Sequence, residues 1–451
     1  MSSIEVLANL TCPLNKNKKD TKPKCAKPIP GAAVGGCAFD GAMITLIPIA
    51  DAAHIIHSTS TCITCSWNNR GTRSTKGALY KYGISTNLSE MDIIMGSENK
   101  LTDTIINTKK IFNPKAIFVY STCVTSMIGV DIKHICVESQ KDLGIPIIPV
   151  ESPGFAGNKN YGNKAAGETL FKYVIGTKEP IKTTENDIAI IADYNIAGEL
   201  WRILPYFNNL KINVLSKITG EATYDEVAVA HRAKCSVVIC SRALIGLAEK
   251  MKNRYGIPYA EGTFYGIRET SNTLRAIGKM LNNKDLSERI EKFINKKEME
   301  TYEKLKQYKP YFEGKRVFIY SGGVKSWSMV MQLEELGFEV IGSGIRKSSE
   351  QDIEKLRIHF EGKQKILLEK GEGGKLIEIL NKNKADLFIA GSRNMFVSMK
   401  AKYPYVDVNQ ERLRAYAGYE GMINLAEDIY NTLYSPIWEN IKRKPKFLED
   451  L

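Results

Sequence analysis

The chain has 451 residues, of which 43% are hydrophobic and 25% charged, as is typical of a globular protein with more than one domain. No apolar run approaches the length of a membrane span and no export signal opens the chain, so we expect a cytoplasmic protein with no membrane partner. The net charge of +13 comes from lysines interleaved with acidic residues, which argues against nucleic-acid binding. In the cytoplasm, nine cysteines favour metal or redox roles over disulfides.

The first 30 residues are polar and predict an extended arm, which we separate from the folded part of the chain. Residues 42–57 predict an amphipathic helix, and residues 115–120 (KAIFVY) predict a buried strand that ends just before Cys123. Residues 145–150 (IPIIPV) predict a further strand, followed by a glycine-rich loop and a helix.

The same order of elements recurs through the rest of the chain: a buried strand is followed by a glycine or serine turn and then by a helix. It is found in IIADYNIAGELW, SVVICSRALIGLA, VFIYSGGVKSWSM and LFIAGSRNMFVSM. Such repetition predicts an α/β fold of three doubly wound, Rossmann-like domains with parallel sheets. We place an arm at 1–30 and the domains at 31–183, 184–312 and 313–451; the second ends in a long charged helix and the third in a helical segment.

Iron–sulfur ligation is the chemistry that the cysteine pattern favours. Doubly wound sheets bind ligands beyond the carboxyl ends of their strands, and a [4Fe-4S] cluster takes about four thiolates. Cys37, Cys62 and Cys123 each lie at a predicted turn beside small residues. A fourth thiolate would come from Cys65 or from another chain. Packing of buried cysteines as small hydrophobic residues is the alternative.

Other cysteine and histidine patterns are weaker. Cys62-x-x-Cys65 is spaced like a thioredoxin-type redox pair, but a predicted helix precedes it and no proline separates the thiols. His54 and His57 are three apart on that predicted helix, where a structural role is favoured over metal ligation. Two further groups are taken as incidental or structural, namely Cys12 and Cys25 in the arm and Cys136 and Cys235 in predicted core elements.

Eight stretches of the chain carry a resemblance to a known family. PGAAVGGCAFDGA, SWNNRGTRS, NLSEMDIIMG, STCVTSMIGVD, ADYNIAGELW, EGTFYGI, SGGVKSWS and VNQERLRAYAGYEGM resemble, in this order, the nitrogenase component 1 superfamily. The resemblance implies a three-domain subunit that pairs with a homologous subunit as an α2β2 heterotetramer. It also implies a [4Fe-4S] cluster at the subunit interface, bound by Cys37, Cys62 and Cys123 with a fourth thiolate from the partner, which leaves Cys65 outside the ligand set.

The resemblance implies a second site, for a cofactor precursor. Cys240 matches the cysteine that binds the cofactor, whereas catalytic members add a histidine near the C-terminus. Nothing after His359 is a histidine, and the matching region surrounds Asn409. The chain is therefore closer to the members that assemble cofactor. On this hypothesis a transient iron–sulfur–carbide precursor receives molybdenum and homocitrate, and we take the cationic and glycine turn residues as its contacts: Arg70, Arg73, Gly322, Gly323, Lys325 and Arg393.

The same resemblance implies transient partners: a precursor donor, the nitrogenase iron protein and apo-nitrogenase. Three alternatives stay open from the sequence. The chain could be a catalytic nitrogenase-like α subunit or an ATP-dependent reductase subunit, a cofactor scaffold of a vanadium system, or a purely structural iron–sulfur partner in which Cys240 binds nothing.

Overall fold

The computed structural model describes residues 36–67, 79–239, 241–321, 325–345, 348, 350–369, 373–409 and 412–442. Several predicted positions lie outside this part of the chain, namely the arm with Cys12 and Cys25, Arg70, Arg73, Cys240, Gly322 and Gly323. For Cys65, Lys325 and Arg393 only the backbone is described. The described residues form two compact units: residues 36–263 with 272–291, and residues 264–271 with 292–442.

The first unit opens with a four-stranded parallel sheet. Its elements are, in chain order, α1 (Ala38–Leu46), β1 (Ala52–His57), α2 (Ser60–Ser66), β2 (Ile84–Ser85), α3 (Glu90–Met95), α4 (Glu98–Phe112), β3 (Ala116–Ser121), α5 (Cys123–Met127), α6 (Ile132–Leu143), β4 (Ile147–Val150) and α7 (Lys159–Tyr173). The strand order is β2-β1-β3-β4 and every pair is parallel. β1 and β3 are in register from Ala52 beside Ala116 to His57 beside Ser121, so their carboxyl ends are level.

The predicted helix over residues 42–57 is wrong in its second half. α1 ends at Leu46, and the residues from Ala52 to His57 form strand β1, which is buried along its whole length. A strand covered on both faces shows no alternation of polar and apolar residues, so its pattern cannot be told from that of a buried helix. His54 and His57 are consequently strand residues and not a pair on one helix face.

Both histidines are buried and structural. His54 Nδ1 lies 2.9 Å from the Tyr120 hydroxyl, and its ring stacks on Phe118. His57 lies between the hydroxyl groups of Thr86 and Ser97, 3.1 Å from each. Burial lowers the pKa of His54 to about 3 and that of His57 to about 4. Both rings are therefore neutral in the folded chain near pH 7.

We expect these histidines to make the fold sensitive to acid. Below pH 6.5 the unfolded chain takes up protons that the folded chain does not bind until about pH 4, so stability is lost as the pH falls. Each should cost about 2 kcal/mol at pH 5. Urea unfolding of a His57→Gln variant should show a shallower fall between pH 7 and 5. Equal slopes for this variant and the wild type would contradict the assignment.

A second parallel sheet completes this unit. Its elements are β5 (Asp187–Asp193), α8 (Glu199–Leu210), β6 (Asn213–Thr219), α9 (Tyr224–Ala228), β7 (Cys235–Val238), α10 (Ser241–Tyr255) and β8 (Tyr259–Glu261). The next helices along the chain are α11 (Ile267–Leu281) and α12 (Lys284–Leu305), each with residues in both units. The strand order is β6-β5-β7-β8. The strand, turn and helix predicted from IIADYNIAGELW are found as β5, the turn after it and α8. α12 is the predicted long charged helix.

α1 and α7 touch backbone to backbone through two glycines. A Cβ on Gly162 would overlap the carbonyl oxygen of Ala38 and lie 2.8 Å from Ala42 N. A Cβ on Gly41 would overlap the carbonyl oxygen of Lys159 and lie 2.8 Å from Asn163 N. Because neither position has room for a side chain, the two helices are held at a fixed distance. This contact positions the residue that precedes α1, which is Cys37.

The other unit contains a five-stranded parallel sheet. Its elements are α13 (Lys309–Phe312), β9 (Arg316–Tyr320), α14 (Lys325–Glu335), β10 (Glu339–Gly344), α15 (Glu350–His359), β11 (Ile366–Leu368), α16 (Gly373–Lys382), β12 (Leu387–Ala390), α17 (Met395–Ala401), β13 (Tyr405–Asp407), α18 (Gly418–Leu433) and α19 (Pro436–Lys442). The strand order is β11-β10-β9-β12-β13. The chain adds β10 and β11 on one side of β9 and then β12 and β13 on its other side.

The predicted fold class is confirmed, because all three sheets are parallel and strands alternate with helices. The domain boundaries at 183 and 312 stay predictions. Among the helices that the structure describes, none combines the length and apolar character of a membrane span. The cytoplasmic location stays a prediction as well.

Candidate metal-cluster site

Two of the predicted ligands follow neighbouring strand ends in the first sheet. β1 and β3 are adjacent, and the chain continues to β2 on one side and β4 on the other, so the strand order reverses between them. This is the point at which open α/β sheets bind ligands. Cys62 is the third residue of α2, which follows β1, and Cys123 is the first residue of α5, which follows β3.

Hydrogen bonds fix the end of β3 to both neighbouring strands. Thr122 Oγ1 donates to the carbonyl oxygen of His57 at 3.1 Å, which ties the end of β3 to the end of β1. On the other side, Ser152 N donates to Ser121 Oγ at 3.1 Å and Ser152 Oγ donates to Ser121 O at 3.0 Å. The loop that follows β4 is therefore fixed beside Cys123.

Cys37 reaches the same loop from α1. Gly36 has a φ of +101°, and Lys159 N donates to its carbonyl oxygen at 3.0 Å. Cys37 itself forms an isolated antiparallel bridge with Asn158, and its N–H donates to Asp40 Oδ2 at 3.1 Å. The turn before α1 is thus held against the start of α7.

Gly154 lies where Cys37 and Cys123 converge. A Cβ on this glycine would lie 2.9 Å from Cys123 Sγ, 3.4 Å from Cys37 Sγ and 3.3 Å from Cys37 Cβ. Both sulfur atoms therefore border one small space that a methyl group would fill. Two thiols beside a glycine are suited to an iron–sulfur cluster, because such a cluster is bound by thiolates and needs the backbone to approach closely.

Burial raises the pKa of the Cys37 thiol, and the charges of Asp40 and Cys123 act in the same direction. A metal ligand must be a thiolate, so loading this site would release a proton. Burial raises the pKa of Cys136 and of Cys235 much further, to about 12 in each case. Both are fully buried in α6 and β7, as expected of structural cysteines.

Cys62 lies on the same sheet edge, and it packs against the same hydrophobic core as Cys37. Among the described side chains, no three histidine, cysteine or acidic groups lie close enough together to hold a single metal ion. A four-iron cluster has a different requirement, since each thiolate binds a separate iron. The structure thus brings Cys37 and Cys123 together and places Cys62 at the adjoining strand end; their role as ligands stays a prediction.

The helix predicted before Cys62-x-x-Cys65 is wrong, and with it one reason against a redox role for the pair. The motif follows strand β1 and not a helix, and both cysteines belong to α2. The absence of an intervening proline remains, and the Cys65 side chain lies outside the described part of the chain.

The predicted cofactor cysteine comes directly after described structure. Ile239 N donates to the carbonyl oxygen of Ile191 at 2.9 Å, so Ile239 lies at the carboxyl ends of β5 and β7. The turn after β5 has several left-handed residues, including Asn195 (φ +51°) and Ala197 (φ +57°). Strained backbone of this kind is concentrated at functional sites.

A further group of predicted residues lies at the carboxyl edge of the third sheet. Lys325 begins α14, shortly after β9, and Arg393 lies in a short 3-10 helix after β12. Asn409 packs on Gly391: a Cβ on Gly391 would overlap the Asn409 amide. An amide side chain therefore lies at the carboxyl end of β12.

Sequence reasoning identified no site residue in the loop after β4. The structure adds Gly154, which borders both sulfur atoms, and Ser152, which fixes the loop. A signal was available, because the glycine-rich stretch ESPGFAGN directly follows the predicted strand IPIIPV.

The model of one protein family matches residues 37–434, and its description is "Nitrogenase component 1 type Oxidoreductase". The chain belongs to the nitrogenase component 1 family. Among curated members, "Nitrogenase iron-molybdenum cofactor biosynthesis protein NifE" of Nostoc sp. is 47% identical, over 99% of this chain and 94% of that protein. The protein of the same name from Klebsiella pneumoniae is 41% identical over 97% of this chain and 98% of its own length.

A solved member of this nitrogenase component 1 family has the same fold. "Nitrogenase Cp1 at pH 5" superposes with a TM-score of 0.85 at 27% identity, covering 93% of this chain and 92% of that chain. The predicted Rossmann-like architecture of nitrogenase component 1 type is confirmed.

Proposed function

We propose that the chain is the scaffold on which the precursor of the nitrogenase iron–molybdenum cofactor is matured for nitrogen fixation. Molybdenum and homocitrate are added there, and the product is passed to apo-nitrogenase. The names of the curated relatives, at 41–47% identity over nearly the whole chain, support a role in cofactor biosynthesis. On this proposal the cluster is cargo, and the chain does not act on an external substrate.

The observation that best supports the scaffold role is the contact of the Asn409 amide with Gly391. A cluster bound by Cys240 alone, without a histidine at that position, would have one strong protein ligand. Contacts from basic groups would supply the rest of the binding, and we assign these to Arg70, Arg73, Lys325 and Arg393, with Gly322 and Gly323 giving close backbone approach. Such a site binds firmly enough for maturation and still releases its cargo.

The pair formed by Cys37 and Cys123 would serve a resident [4Fe-4S] cluster. Cys62 supplies the third thiolate, and a NifN-like homologous subunit supplies the fourth, in an α2β2 heterotetramer. Gly154 keeps the space between Cys37 and Cys123 open. The precursor donor, the nitrogenase iron protein and apo-nitrogenase would bind transiently at other steps.

Iron content after anaerobic purification with the partner subunit tests this assignment. Cys123→Ala should lose the resident cluster, about four iron atoms per heterodimer, together with its electron paramagnetic resonance signal. Cys136→Ala removes another cysteine from the same unit and should retain all the iron, because that thiol is buried in α6. A Cys123→Ala protein with its resident cluster intact would contradict the assignment.

The cofactor site is tested separately through Cys240. Cys240→Ala should keep the resident cluster and lose the loadable one, which a second iron count after incubation with precursor would measure. Acetylene reduction by the wild type at nitrogenase-like rates would overturn the scaffold role in favour of a catalytic subunit.

A further inference from the structure

A cleft of about 780 Å³ lies at the amino-terminal edge of the third sheet, opposite the edge that holds Gly391. Lys315, Asp386 and Pro404 line it at the starts of β9, β12 and β13. The last residues of α18 and the first turn of α19 form the other side. This volume is within the range of clefts that bind small molecules.

The charges in the cleft favour an anion. Its lining includes three lysines, at 315, 384 and 402, and one carboxylate, that of Asp386. That carboxylate is already engaged, since Oδ2 accepts from Arg316 N at 2.8 Å and Oδ1 lies 3.6 Å from Lys315 Nζ. Lys384 and Lys402 form no ion pair with any residue that the structure describes. Two positive charges are therefore left for a ligand.

Aromatic rings line the same cleft. The Tyr403 hydroxyl donates to Asn381 Oδ1 at 2.7 Å, and the Tyr434 hydroxyl donates to Tyr311 O at 3.0 Å, so both rings are fixed. Tyr434 remains 46% exposed, and Trp438, which is buried, also belongs to the lining. Fixed rings bind planar groups by stacking, and the Asn381 amide NH₂ is left as a donor.

We propose that this cleft binds a nucleoside phosphate, with the base against the Tyr403, Tyr434 and Trp438 side and the phosphates on Lys384 and Lys402. Lysine is a common phosphate ligand, and a ring stacked on tyrosine or tryptophan adds affinity that a bare anion lacks. The site is independent of both proposed cluster sites and lies on the other edge of its sheet.

Calorimetric titration of the full-length chain, purified with its partner subunit, tests the proposal with ADP, inorganic phosphate and adenosine. ADP should bind with a Kd below about 1 mM, and the other two at least about tenfold more weakly. The double variant Lys384→Gln, Lys402→Gln should weaken ADP binding at least about tenfold. Tyr434→Ala should weaken ADP binding and leave phosphate binding unchanged.

Lys382→Gln is the matched control. This exposed lysine lies in the last turn of α16, two residues before Lys384, and does not line the cleft. It should bind ADP as the wild type does. Equal losses in the control and the double variant would overturn the proposal. The loss would then follow from removing positive charge near the end of α16, and not from contacts inside the cleft. No heat with ADP, or ADP binding no tighter than phosphate, would overturn it as well.

Discussion

Replacing Gly154 by alanine is expected to empty the proposed resident cluster site while the chain still folds. The added methyl group would lie 2.9 Å from Cys123 Sγ and 3.4 Å from Cys37 Sγ, inside the space that the two sulfur atoms border. The affinity of the site for the cluster should fall by about 10- to 100-fold, as when the surroundings of metal ligands are altered. The folding cost should be about 1–3 kcal/mol, which a protein of this size tolerates.

Iron content and urea unfolding of Gly154→Ala, measured side by side, separate these two effects. Gly246→Ala is the control, since a Cβ there meets no atom within 4 Å beyond its chain neighbours and the backbone of its own helix, α10. It should keep its iron and gain about 0.5–1 kcal/mol of stability. If Gly154→Ala bound iron as the wild type does, the convergence of Cys37 and Cys123 at this glycine would not form the cluster site.

The largest loss of stability is expected from Gly162→Ala. Its Cβ would overlap the carbonyl oxygen of Ala38 and come within 2.8 Å of Ala42 N, and backbone atoms in a helix cannot rotate away. α1 and α7 would have to separate, at a cost of about 3 kcal/mol. For a unit of this size the melting temperature should fall by about 6 to 12 °C. Because Cys37 precedes α1, the cluster should be lost as well.

Gly167→Ala provides the comparison within the same helix. Its Cβ would lie 2.8 Å from Leu244 Cδ2, the end of a flexible side chain that can move. The gain in helix propensity should offset most of that contact, so the change in unfolding free energy should stay within about 1 kcal/mol. Calorimetric scans of the two variants measure the difference. Equal melting temperatures would mean that the helices are not held in backbone contact through Gly162.

Local patterns were enough to predict the fold class. Strands such as KAIFVY and SVVIC are short, apolar and followed by small residues and a helix, and this order permits only parallel sheets with crossover helices. The same order placed Cys123 beyond a strand end, where it is found. The eight family motifs then indicated which family the chain belongs to, and the match over residues 37–434 confirms it.

Local patterns failed where burial removes periodicity. AAHIIH is covered on both faces, so nothing in its residues separates a strand from a helix. The error placed His54 and His57 on one helix face and gave a mistaken reason for setting aside the Cys62-x-x-Cys65 pair. Pairing with β3, a contact distant in sequence, is what makes this segment a strand.

The sequence by itself determined the parallel α/β class, the position of Cys123 just after a strand, and the lack of a histidine around Asn409. Only the tertiary structure decided that Cys37 and Cys123 meet, because their meeting depends on the contact between α1 and α7 and on a loop fixed to the end of β3. Gly154 has no reactive side chain, so its residue type does not mark it as a site residue. Its importance lies in the space that it leaves between two sulfur atoms, and that space exists only once the chain has folded.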